Sequence, residues 1–180
     1  MSAPTDAELT DAWTTATRNA VTALFAEYPD HHFYWLSMMV SYYAYPPFLM
    51  PVSEEHLAQL RVADPSYDKW DYSLTPLFPY GHEEHYAEVR RLLDLRPDLD
   101  ELDDPGWDAE FEARMNAVEA SMARLDAEGL FGTGERRDAV VVLVEHMPPD
   151  PVDTQRALRL NPPSELFQEW LRDVAEVEEP

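Results

Sequence analysis

Six histidines and 36 acidic residues are the groups in this 180-residue chain whose types and spacing could do chemistry. His82-Glu83-Glu84-His85 puts two imidazoles three residues apart, close enough on a helix to share one metal ion, with Glu54, Glu83 or Asp94 as a third ligand. It is not the HExxH pattern, whose histidines lie four apart around a glutamate base. The pair falls in an acidic turn near its helix start, where a solvated turn is expected. His82 and His85 are thus the candidate ligands if a metal binds, but no metal and no other cofactor is expected. Glu145-His146 closes a short apolar run, at a strand end of the kind where α/β folds collect site residues. Neighbours on a strand face opposite ways, so these two cannot form a dyad with each other. His31-His32 reads as a loop pair. His32, His56, His85 and His146 are the acid–base candidates.

Several chemistries are excluded. There is no cysteine, hence no disulfide, thiolate nucleophile or zinc–thiolate site. No GxSxG elbow occurs, and Gly132-Thr133-Gly134-Glu135-Arg136-Arg137-Asp138 lacks the Gly-Lys-Ser/Thr of a phosphate loop. Thirty-six acids against 13 bases give a net charge of −23. Such a field repels nucleic acid and anionic membrane and favours a basic protein partner. No apolar stretch approaches a membrane span, and the first residues show no basic region followed by an apolar run, so they do not read as a signal peptide and a cytoplasmic location is expected.

The elements that must position these residues follow from periodicity. Thr5 and Glu8 form a capping box ahead of a stripe through Leu9, Trp13, Ala16, Ala20 and Leu24, an amphipathic helix. Residues 33–43 are apolar on one strand face and nearly so on the other, interrupted only by Ser37 and Ser41. Such a strand belongs inside a sheet covered on both faces. After Pro46-Pro47 the chain turns, and Phe48 to Val52 reads as a returning strand with Pro51 on an edge. Ser53 caps a short helix. Asp64 to Tyr80 reads as a proline-punctuated loop packed down through its aromatics. His82 to Leu95 reads as one helix. Asp104 caps, and Pro105 opens, a long helix through Trp107, Phe111, Met115, Val118, Met122 and Leu125, closed by a left-handed Gly129. Ala139 to Val144 is a buried strand. Asp153 to Leu160 is helical. Asn161 caps, and Pro162 opens, the last helix. The long helix and the N-terminal helix are expected on different sides of the aromatic strand. The methionines, Met38, Met39, Met50, Met115 and Met122, read as core filler.

Together these give an α+β fold: one domain over 1–180 with a frayed tail over 176–180. Its sheet is small and mostly antiparallel, with central strands near 33–43 and 139–145, packed by about five to six helices.

The chain resembles a bacterial family of unassigned function, domain of unknown function 4303. The resemblance is carried by the N-terminal helix, Phe33-Tyr34-Trp35-Leu36-Ser37, Trp70-Asp71-Tyr72, the long helix ending in Leu130-Phe131-Gly132, the run Val140 to Val144, and Leu158-Arg159-Leu160-Asn161-Pro162. The family usually has an Asp-rich segment after the late strand; here that place reads Glu145-His146-Met147-Pro148-Pro149-Asp150. The resemblance implies no catalytic residues. It suggests an immunity or accessory protein of bacterial competition systems. The leading expectation is therefore a non-enzymatic acidic protein-binding module. The alternative is a small-ligand-binding protein or enzyme with an aromatic-lined pocket and a histidine acid/base. The residues expected to meet a ligand or partner are Trp70, Tyr72, Tyr43 and Tyr45 on the aromatic side, and Asp100, Glu101, Asp103 and Asp104 in the acid run.

Overall fold

A computed structural model describes residues 3–41, 48–71 and 76–176, without the side chains of His82 and Glu83. Among the described residues the chain forms α1 (Asp6–Glu27), β1 (Phe33–Val40), β2 (Phe48–Ser53), α2 (Glu54–Ala63), α3 (His82–His85), α4 (Ala87–Leu93), α5 (Asp104–Ala127), α6 (Glu135–Asp138), β3 (Val141–His146), α7 (Pro151–Leu160) and α8 (Glu165–Asp173). This is an α+β domain with six helices of seven residues or more and two single-turn pieces.

All eight residues of β1 are buried, as its apolar faces demand. β1 is the middle strand of the order β2-β1-β3. β2 returns antiparallel to it, with Leu36 opposite Pro51 and Met38 opposite Leu49. Pro51 therefore lies on an edge strand, where a missing N–H costs no ladder bond. β3 runs parallel to β1, from Trp35 opposite Val141 to Val40 opposite His146. The sheet is thus mixed, one antiparallel and one parallel pairing, where a mostly antiparallel one was expected. The parallel pairing follows from the long helical excursion between the strands, which brings the chain back to the end where β1 began.

One face of the sheet packs on α1, α4 and α5 through Leu36, Met38, Val142 and Val144. The other packs on α2, α8 and the loop carrying Tyr67 and Trp70, through Trp35, Met39, Val141 and Leu143. The long helix and α1 therefore share a face, against the expectation that they flank β1. Both are long amphipathic helices, and their apolar stripes also pack on each other. The five methionines named above are all core residues.

Local rules succeed where a short motif suffices. Thr5 and Glu8 make the full capping box. Ser53 accepts from the His56 N–H. Gly129 has φ of 80°, and the Leu130 N–H reaches the Leu125 carbonyl in a Schellman-type stop. Strand bounds differ from those expected: β1 ends at Val40, and β3 begins at Val141, after an exposed Ala139 in the turn that follows α6, and runs on to His146. Three helix boundaries differ too. Asp103, not Asp104, caps α5, accepting from the Gly106 N–H. The helix expected over 82–95 breaks at Tyr86, whose fully buried ring stands against Trp13. Ser164 caps α8, not Asn161.

Asn161 instead ends α7 and pairs with the free edge of β3. Its Oδ1 accepts from the Val142 N–H at 2.8 Å, and its Nδ2 donates to the Val142 carbonyl at 2.6 Å. The side-chain amide thus stands in for a fourth strand. Asn161→Ala leaves both Val142 groups unpaired in a buried setting, at about 1–3 kcal/mol each. Urea denaturation is expected to show a loss of about 2–4 kcal/mol; a loss below about 1 kcal/mol would mean that the edge finds other partners.

Candidate functional site at the carboxyl end of the parallel strands

Alternation along β3 sends Val141, Leu143 and Glu145 to the face shared with Trp35 and Ser37. The Ser37 hydroxyl, fully buried, donates to Glu145 Oε2 at 2.5 Å. That is the one hydrogen bond of the Glu145 side chain, and no basic residue pairs with it among the described residues. Burial pushes its pKa from 4.5 up to about 7, against the lowering effect of the Ser37 bond. Glu145 can therefore hold or release a proton near neutrality. Ser37 is too deeply buried to attack an outside substrate.

Beside Glu145 lies a cavity of about 70 Å³ whose walls include Trp35, Trp70, Trp170, Asp150 and Asp153. Three elements bring the indoles together. Trp35 comes from β1. Trp70 is set by its loop: the Asp68 carboxylate accepts the Trp70 N–H at 2.9 Å, and Tyr34 donates to the Lys69 carbonyl at 2.6 Å. The Trp70 ring stands edge-on to Tyr34 and Trp35. Trp170, on α8, stacks on Phe167 at 5.8 Å. The indole N–H groups of Trp70 and Trp170 are buried without an acceptor. Lys69, the single lysine, pairs with Glu169 and lies 5.0 Å from the Trp70 ring centroid.

His146 faces the other way, edge-on to Phe111 of α5, so it makes no dyad with Glu145, as alternation requires. Its Nδ1 lies 2.9 Å from Asp153 Oδ2. That bond raises the His146 pKa above its usual value, while burial opposes it. His146, Asp150 and Asp153 bring ligand atoms within 4.8 Å of one another and are the described residues that could hold a metal. A sufficient local cause already exists for the closeness of the two carboxylates. Asp150 and Asp153 form the reciprocal capping box of α7, and Arg156 donates to Asp153.

A second histidine cluster was not legible from spacing. His31 and His56 both approach the Ser53 hydroxyl, at 2.9 and 3.2 Å, with their rings 4.6 Å apart. Burial, and then His31, lower the His56 pKa. Ser53 is fully buried and occupied as a helix cap, so the cluster is structural.

Of the residues expected to bind, Trp70 lines the cavity. Tyr72, Tyr43 and Tyr45 lie outside the described residues, as does the His82 side chain. Asp100, Glu101, Asp103 and Asp104 are exposed, about the start of α5. Asp98 caps the turn over Leu99–Glu101, and Asp103 caps α5. Glu110, which the run includes, is buried between Arg96 and Arg114. Part of the acid run is therefore explained by folding alone. Sequence reasoning missed the Ser37–Glu145 pair and Trp170 as site residues. The available signal was a carboxylate ending a strand otherwise built of valine and leucine.

Both titrating groups at this end of the sheet favour the acid side. An unfolded Glu145 gives up its proton near 4.5, while the folded one keeps it to about 7. Its contribution thus falls by about 3 kcal/mol as pH rises across that window. The stabilisation from His146 is complete below its unfolded pKa of 6.5 and is lost as pH rises through its higher folded value. Glu145→Gln keeps a partner for Ser37 without the charge. Urea unfolding of this variant is expected to show a flatter pH profile between about 5 and 8 and a gain of about 1–3 kcal/mol at the alkaline end. A profile identical to the wild type would place the Glu145 charge in contact with water.

No curated protein and no solved structure matches the chain. A family model does, over residues 14–162, from the middle of α1 to the Asn161 clasp and the proline after it, and so spans the whole sheet together with Ser37 and Glu145. The chain therefore belongs to the family described as Domain of unknown function (DUF4303).

Proposed function

We propose that this protein is a small-ligand-binding module whose site is the tryptophan-lined cavity beside Glu145. One observation carries the reading. A carboxyl group about nine-tenths buried holds one oxygen against Ser37 and lines the cavity. A ligand that donates to this carboxyl adds a hydrogen bond to a charged group, worth about 1.5–3 kcal/mol. Pockets of this kind, apolar with a few convergent polar groups, are the usual sites of small ligands. The acid–base group that reaches the cavity is Glu145 rather than a histidine, since His146 faces α5.

The chain has five tryptophans, and their indole N–H resonances report the site directly. A fragment set titrated into labelled protein is expected to move the resonances of Trp35, Trp70 and Trp170. Trp13, on the opposite face of the sheet, is expected to stay fixed. Saturable shifts confined to Trp13 or Trp107, or none at all, would overturn the reading.

Charge favours a second reading, the acidic module that captures a basic protein, in its concrete form an immunity protein for a basic toxin. Among the described residues at least nine of the 13 bases are held in ion pairs within the protein, among them Lys69, Arg96, Arg137 and Arg156. The carboxylates at Asp100, Glu101, Asp104 and Asp108 are exposed, and with a net charge of −23 they contribute to a field that speeds encounter with a cationic surface. Asp100, Glu101 and Asp104 cap nothing, so replacing them with Asn, Gln and Asn is expected to leave the melting temperature within a few degrees. The same change is expected to slow association with a basic protein several-fold at low salt. Unchanged association kinetics would remove the acid run from any binding role.

A further inference from the structure

The charge balance of the cavity narrows its ligand. Glu145 has no cation beside it, and its free oxygen can accept from an incoming donor. Asp150 and Asp153 add acceptors on the same wall. Asp153 is shared with Arg156 and His146, while Asp150 reaches His146 only at 3.7 Å. No basic side chain lines the cavity. The remaining wall is indole, and tryptophan is the side chain whose face attracts cations most strongly. An anion would meet four carboxyl groups, Glu145, Asp150, Asp153 and Glu176. A bare metal ion would leave the apolar wall unused. At about 70 Å³ the space exceeds what one water needs, about 10–15 Å³, and suits a group of a few heavy atoms.

We infer that this cavity takes the ammonium end of a small organic amine, with the tryptophan rings as its wall and the Glu145 carboxylate as its counter-ion. The inference rests on the reading of the cavity as the binding site and adds the chemical class of its ligand.

The test uses the whole chain and three probes of similar size and different charge: methylammonium, methanol and formate, each at constant ionic strength set with sodium chloride. The readout is the indole N–H shifts of Trp35, Trp70 and Trp170. Methylammonium is expected to saturate these shifts, and to bind at least tenfold more weakly to Glu145→Gln. Trp170→Phe, which preserves the stack on Phe167 with a weaker ring face, is expected to weaken it several-fold. Selective binding of methanol or formate, methylammonium binding that Glu145→Gln leaves unchanged, or shifts that sodium produces equally well would overturn the amine while leaving the cavity a binding site. No probe moving these resonances would overturn the amine and the cavity reading together.

Discussion

The central strand has neither a free edge nor an exposed residue, and every other element answers to that. β1 is held by β2 on one side and β3 on the other, with helices over both faces. A strand buried on both faces must be apolar almost throughout. Each large side chain removed from water is worth about 1.5–3 kcal/mol, so the aromatic and methionine content of β1 is accounted for by packing. What packing does not account for is Ser37, a hydroxyl in the middle of this strand. Its partner is Glu145, from the neighbouring strand, and the pair sets the polar end of an otherwise apolar face.

The same three-stranded sheet has two outer edges, and they are protected differently. β2 carries Pro51, which cannot donate to a further strand. β3 is covered by α7 and clasped through Asn161, whose amide reproduces the bonds of a missing strand. Arg137 secures this corner by donating to the Leu160 carbonyl and pairing with Asp126 of α5. The residues around the outer edge of β3 are thus spent on satisfying backbone. That also explains why the helix following β3 begins so close to it, and why Asp150 and Asp153 stand beside His146.

A high net charge does not translate into a uniformly charged surface. The bases are few and mostly engaged: Arg156 is almost fully buried against Asp153, Glu112 and Glu119, and Arg96 bridges Asp6 and Glu110. These pairs tie α1, α5 and α7 together at helix surfaces. Exposed pairs of this kind add little each, while the buried members must stay paired because an orphaned buried charge is costly. Glu145 is the exception on that scale, a buried carboxyl with a hydroxyl for company and no cation. Its neutral form is favoured by burial, and it sits where the indoles of three separate elements converge.

Much of the architecture was readable from the chain itself. Caps at Thr5 and Ser53, the stop at Gly129, the buried character of residues 33–40 and 141–144, and the return of Phe48 to Val52 are set by neighbours a few positions away. One short motif is enough to specify each. Family membership was readable too, in segments the family model spans. Tertiary structure alone decided which face each helix covers, the parallel sense of β1 with β3, the role of Asn161, and the site. Ser37 and Glu145 lie 108 residues apart, and they meet only because the pairing register puts Trp35 opposite Val141. A slip of one residue would turn Glu145 to the other face. Local periodicity states which residues are apolar. It carries no information about which distant strand, in which register, completes a cavity, because that choice is made by the summed packing of both faces of the sheet.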